Sequence, residues 1–341
     1  MSFLQPRLVA NLQAILTHAL PCSAGDEALV IYDEEVALTR EVLQAYRELV
    51  PWASFLSFPE EGPEVIKRAI DKLLPGALVI LVQSSSFRLD AFRIRLELFR
   101  RGLRTIEHAH LNRLLTEEEH ERYVDSLAYD PGYYRTFGEE LSERIATAKQ
   151  IKVISKDGSE LVYCGPFEEA KKNTGDYRGM ENVGGTFPIG EVFTELVDLS
   201  RANGIASIFG YGGMDFRTRI VEPFQIEVKE GLVVGASTNA PAEFNEILAM
   251  VRENESPYIR ELGLGLNRAF SKDKPVSDIT TFERQLGVHV SLGEKHAIYR
   301  KEGMKPKETK YHIDLFIDVN EVWFDDWLGF SNGEYRLVST T

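Results

Sequence analysis

The strongest constraint in this chain is a change of apolar period near Ile151. Before it, short apolar runs alternate with helical patterns. ALVIY (28–32) precedes a helical stretch over 36–50, residues 53–58 precede 63–74, and ALVILVQ (77–83) precedes a basic helix over 88–101. Such alternation predicts a parallel sheet covered by helices, because parallel neighbours need long crossovers. After it, IKVISKDGSELVY reads as two alternating runs about a Lys-Asp-Gly turn, a β-hairpin signal. Further short strands follow, punctuated by Gly184-Gly185, Gly212-Gly213 and Gly231 and interrupted by a helix over 242–253, and strands dominate again from Gly287. The expected fold is an α/β N-terminal domain with a parallel sheet over 1–115, then a helical connector over 116–150, broken near Pro131-Gly132. A mostly antiparallel, barrel-like α+β domain over 151–341 completes the chain and carries the candidate metal site.

Composition narrows the partners. The 341 residues are 43% hydrophobic and 27% charged, ordinary globular values. Fifty-three acidic against 39 basic side chains give a net charge of -14, which repels nucleic-acid phosphate and anionic lipid. The basic stretch over 93–104 is interleaved with Leu, Phe and Ile and reads as the solvated face of an amphipathic helix. Cys22 and Cys164 are too few and too far apart for a zinc knuckle or a disulfide framework, so a reducing compartment is expected. No secretory pattern opens the chain and no 18 apolar residues run together, so a cytoplasmic protein without a membrane span is expected. No glycine-rich phosphate loop follows any N-terminal strand.

Candidate chemistry lies in the second half. On a strand through YHIDLFID (311–318), Ile313, Leu315 and Ile317 share one face while His312, Asp314, Phe316 and Asp318 share the other. A His-x-Asp pair on one face offers two metal ligands at one point, or equally an ordinary polar surface. His289 shares its face with Gly287 and Ser291, small neighbours that leave room for an ion or substrate. Taken alone it reads as a structural histidine, yet His289, His296 and His312, three of the chain's seven, fall within one short stretch. Glu261 opens a run in which Gly263 and Gly265 alternate with leucines, a sign of close backbone approach. Glu191 follows Pro188-Ile189-Gly190 and begins the alternation Glu191, Phe193, Glu195. Each glutamate alone reads as a surface residue; aimed at one place, they would repel unless a cation sat between them.

In order, these segments resemble the aminopeptidase T/aminopeptidase S family of leucyl aminopeptidase-like thermophilic metalloproteases, over about residues 150–328 and more weakly before. The glutamate of FPIGEVFTE matches Glu191, that of ELGLGLN matches Glu261, the histidine of HVSLG matches His289, and the terminal H-x-D matches His312 and Asp314. The resemblance implies two adjacent divalent ions, zinc, cobalt or manganese, in a homodimeric hydrolase that removes N-terminal residues from peptides. Two positions depart from it. Arg284, between Glu283 and Gln285, stands where a sixth ligand is expected, and His296 stands where the family has a tyrosine, with Tyr299 nearby. The chain length, IKVISKDGSEL and YHIDLFIDVNEVWFDD also resemble 2,5-dihydroxypyridine 5,6-dioxygenase, a distant relative with a mononuclear non-haem iron(II) site. In that alternative His289, His312 and Asp314 would form the triad, in a dioxygenase-like, natural-product-tailoring enzyme.

The leading expectation is therefore a metal-dependent hydrolase acting on a peptide or small-molecule amide. Its metal ligands would be Glu191, Glu261, His289, His312 and Asp314, with His296, Glu195 or Tyr299 handling protons or holding the tetrahedral intermediate. A third reading is a non-catalytic relative that binds a peptide or protein partner, the Arg284 cation replacing the second ion's charge.

Overall fold

The computed structural model describes residues 3–89, 92–296, 298–301, 304 and 308–337. Two compact units emerge, Met1–Arg135 with Gly175–Ile189, and Thr136–Thr174 with Gly190–Thr341.

The first unit is built on a five-stranded sheet in the order Gly184–Phe187, Arg104–His108, Leu78–Val82, Ala28–Tyr32, Ser54–Ser57, with every neighbour parallel. The central strands carry continuous apolar runs because both sheet faces are covered, and all five residues of LVILV are buried. Helix Ala37–Leu49 turns Leu38, Val42, Leu43, Ala45 and Tyr46 inward at helical spacing. Helix Glu117–Ser126 starts where the Thr116 hydroxyl accepts from the Glu119 amide and the Glu119 carboxylate accepts from the Thr116 amide. Pro131 opens the next helix, Pro131–Thr147, at the predicted break.

Three expectations are corrected here. The predicted 88–101 helix begins only at Ile94 and runs Ile94–Arg100. Before it, Arg88–Leu89 pairs antiparallel with Phe92–Arg93, and Phe87 and Leu89, two residues apart, both enter the core. Nor is the basic stretch only a solvated face, since Arg95 reaches the buried Glu107 at 2.7 Å. Finally, the segment around Gly184-Gly185 does not join the C-terminal sheet. It returns to pair with Arg104–His108, so residues 175–189 fall in the first compact unit.

In the second unit a 13-stranded antiparallel sheet curls into a half-barrel. Its path runs from Glu334–Tyr335 through Trp327–Ser331, Val319–Phe324, Gln150–Ser155, Glu160–Cys164 and Ala202–Gly212 to Ile313–Ile317, Gly287–Leu292, Ile259–Gly265, Glu191–Thr194 and Lys171–Asn173. Thr218–Lys229 and Leu232–Ala236 branch from Ala202–Gly212. The predicted hairpin forms as Gln150–Ser155 against Glu160–Cys164, turning through Gly158 at φ 84°. The interrupting helix runs Ala242–Asn254 and buries Phe244, Ile247, Leu248 and Val251. Among the described residues no helix is long and apolar enough to cross a membrane.

Candidate metal centre

Cross-strand register assembles the centre. Glu191 stands opposite Gly265, which stands opposite Gly287. In the next row Phe193, Gly263, His289 and Phe316 are successive partners, and beyond it Ser291 faces Asp314. Partners across a ladder point to the same face, so Glu191, His289 and Asp314 share one side of four neighbouring strands. Glu261 joins them at a bulge between Ile259 and Leu262, its amide held by the Ser291 hydroxyl at 3.0 Å. Gly190, at φ 122°, turns the chain into the first of these strands while its amide donates to the Asn173 carbonyl at 2.8 Å. Gly263 is needed for close approach: a Cβ there would overlap the His289 imidazole.

Donor atoms of Glu191, Glu261 and His289 lie within 4.8 Å of one another, and all three residues are buried. His289 Nε2 sits 3.2 Å from Glu261 Oε1 and 3.3 Å from Glu191 Oε1. Asp314 is buried alongside, and its Oδ1 lies 3.2 Å from His312 Nε2. That approach and the His289–Glu191 contact are ion-pair distances off hydrogen-bond geometry, so Glu191 Oε1 and Asp314 Oδ1 both lack a hydrogen-bond donor. Buried carboxylate oxygens without donors, facing an imidazole nitrogen, fit a divalent cation. His289 Nδ1 is likewise unpartnered, so no outer group fixes its tautomer.

The charges answer one another. Burial pushes Glu191 up, only partly offset by Arg284 and His289, which makes it the carboxylate drawn toward its neutral form. Burial also presses on Glu261, but hydrogen bonds from His289 and His296 outweigh it and hold this carboxyl well below the usual range. His289 is pulled down by burial and raised on balance by Glu261, Glu191 and Asp314. His312 keeps part of its surface in solvent; its desolvation lowers the imidazole less than Asp314 and Glu261 raise it, to about 9.

His296 adjoins the cluster, with Nε2 at 2.7 Å from Glu261 Oε2. Its Nδ1 accepts the backbone amides of Ile298 and Tyr299 at 3.1 and 3.3 Å, so the ring proton sits on Nε2 and is donated to Glu261. Glu195 and Tyr299, expected as proton handlers, are committed elsewhere. Glu195 is fully buried and takes a two-point contact from Arg260 at 2.8 and 3.0 Å and Lys301 at 3.0 Å. The Tyr299 hydroxyl donates to the Glu169 carbonyl at 2.6 Å, and burial raises its pKa further. Arg284 places Nη2 3.8 Å from Glu191 Oε2, while Nη1 contacts Glu283 and donates to the Thr280 carbonyl at 2.8 Å. Arg260 and Lys301 escape a reading of the sequence, since Glu195 is 65 residues from Arg260 and no local pattern joins them.

The sequence matches no protein-family model and no curated protein. Solved structures share the fold. The 2,5-dihydroxypyridine dioxygenase from Pseudomonas putida superposes with a TM-score of 0.64 at 14% identity, covering 98% of this chain and 96% of that one. AmpT, an aminopeptidase T from Thermus thermophilus, does so at 0.58 and 15% identity, covering 97% and 99%. At such identities the likeness is one of architecture over the full length.

Proposed function

We propose that this chain is a metal-dependent hydrolase that cleaves a peptide or small amide with metal-activated water. The observation that carries the reading is the buried Glu191–Glu261–His289 cluster, whose unpartnered Glu191 oxygen faces the His289 nitrogen. Those three residues would hold the ion, zinc before cobalt or manganese, with Asp314 and His312 completing the set. Bound there, a divalent cation would polarise the scissile carbonyl and acidify a water molecule. His296 acts through Glu261: the Nε2 proton fixes the outer carboxylate oxygen and leaves the inner one turned to the cluster. The Glu195 carboxylate and the Tyr299 hydroxyl, engaged by Arg260 and by the Glu169 carbonyl, are given no step in this chemistry. The fold shared with an aminopeptidase adds support. The test is metal-to-protein stoichiometry after gentle purification, paired with hydrolysis of aminoacyl amides. We expect bound metal and turnover in the wild type and loss of both in His289→Ala; full turnover by a metal-free variant would sink the mechanism.

A mononuclear iron dioxygenase is the second reading, favoured by His312–Asp314 beside His289 and by the fold shared with a dioxygenase. It predicts one iron per chain and oxygen uptake with an aromatic substrate. The hydrolase ranks first because the donor cluster holds two carboxylates and a single imidazole.

A further inference from the structure

Arg284 is buried, yet its hydrogen bonding is lopsided. Nη1 is engaged by Glu283 and the Thr280 carbonyl, Nη2 has only the 3.8 Å approach to Glu191, and Nε has no hydrogen-bond partner among the described residues. Nε and Nη2 form one edge of the planar guanidinium, the edge that receives a carboxylate through two parallel N–H bonds. An unmet cationic donor in a buried place is costly, so this edge is built for an acceptor that arrives with the ligand. The next residue carries a second donor. Gln285 is 2% exposed, its Nε2 also lacks a partner, and it lies over Gly287, where a Cβ would come within 2.9 Å of that nitrogen. Gly287 opposes Gly265, which opposes Glu191, so the amide covers the sheet face that carries the cluster. Gly265 allows this, because a Cβ there would overlap the backbone of Arg284 and Gln285.

We infer that the Nε–Nη2 edge of Arg284 docks an anionic oxygen group, with the Gln285 amide as a further donor on the sheet face of the cluster, so that the substrate of this centre carries a carboxylate beside the bond it breaks. The inference rests on the hydrolase reading, in which a cation first neutralises Glu191 and Glu261 and so removes their repulsion of an incoming carboxylate. It makes Arg284 a specificity residue: neutral amides lose the edge, acids gain it.

The test uses acetate as probe, acetamide as its uncharged counterpart, and zinc-loaded full-length protein at fixed ionic strength. Dissociation constants come from ligand-observed NMR, with zinc stoichiometry measured on every sample. Wild type is expected to hold acetate at least tenfold more tightly than acetamide. Arg284→Gln, compared at the zinc content measured for it, should lose that preference. Arg284→Lys keeps a cation beside Glu283 and Glu191, guards against misfolding, and should also lose most of it, because an ammonium cannot offer the two-point edge. Acetate bound by zinc alone would be held equally in all three proteins, and that result overturns the proposal, as does wild type without a preference for acetate. Should wild type take up no zinc, the hydrolase reading fails and takes this inference with it, whereas zinc taken up without the acetate preference overturns the inference alone.

Discussion

Gly263 owes its identity to the ring it faces. Its partner across the ladder is His289, and the imidazole fills the space a Cβ would need. Gly263→Ala should therefore turn the His289 ring and weaken metal binding about 10- to 100-fold, the range found when a ligand's support is lost. Competition against a chromogenic chelator measures it, and unchanged affinity would show that the ring is not a ligand. Glu195 makes a different prediction at this scale. It is buried between Arg260 and Lys301, and replacing it by Leu leaves the Arg260 guanidinium without a carboxylate, while Lys301 keeps its pair with Glu168 at 2.7 Å. The loss should be about 3–5 kcal/mol in urea unfolding. The zinc-to-protein ratio of the surviving folded fraction should not change, because neither cation reaches the cluster.

At the scale of elements, Gly184 shows how a strand far along the chain is fitted to the first unit's sheet. It sits at φ 108°, and a Cβ there would overlap the Thr105 carbonyl. Gly184→Ala should destabilise the protein by about 1–3 kcal/mol, read from the urea midpoint, whereas Gly185→Ala, with open space at its Cβ, should change little. The same strand marks the limit of what the sequence discloses. Period-two alternation located the hairpin at Gln150–Ser155 and Glu160–Cys164, because it follows from local pattern, whereas the strand expected through 311–318 forms only as Ile313–Ile317, with Asp314 in its ladder and His312 just before it. That Gly184–Phe187 leaves its neighbours to pair with Arg104–His108 is a tertiary choice that no local pattern encodes. The site divides likewise. Register alone brings His289 and Asp314 to one face, while the Glu261 bulge, the His296 tautomer and the Arg260–Glu195–Lys301 pairing depend on packing between distant segments.

Across the whole molecule, the histidines of the two units pull stability in opposite directions with pH. In the first unit His108 is fully buried, its nitrogens 2.7 Å from the Tyr46 hydroxyl and 2.8 Å from that of Tyr123. Burial lowers its pKa to about 3. Between an unfolded value of about 6.5 and that figure, the unfolded chain holds a proton the folded chain refuses. Stability therefore falls with falling pH through this window, by about 1.4 kcal/mol per pH unit from this one group. His312 in the second unit has the opposite sign. Its folded value of about 9 lies above the unfolded one, so its contribution is complete below about pH 6.5 and is lost as pH rises through 9. Chelator-treated protein should thus be most stable near neutrality, with an acid limb set by His108 well before Asp176, whose carboxyl is held down to about 2 by Arg178, begins to titrate. His108→Phe tests this. It takes the imidazole away from the Tyr46 and Tyr123 hydroxyls and lowers stability overall, yet it should flatten the slope of urea-derived stability between pH 6 and 4. A slope of the same size in the variant would assign the acid limb to other groups.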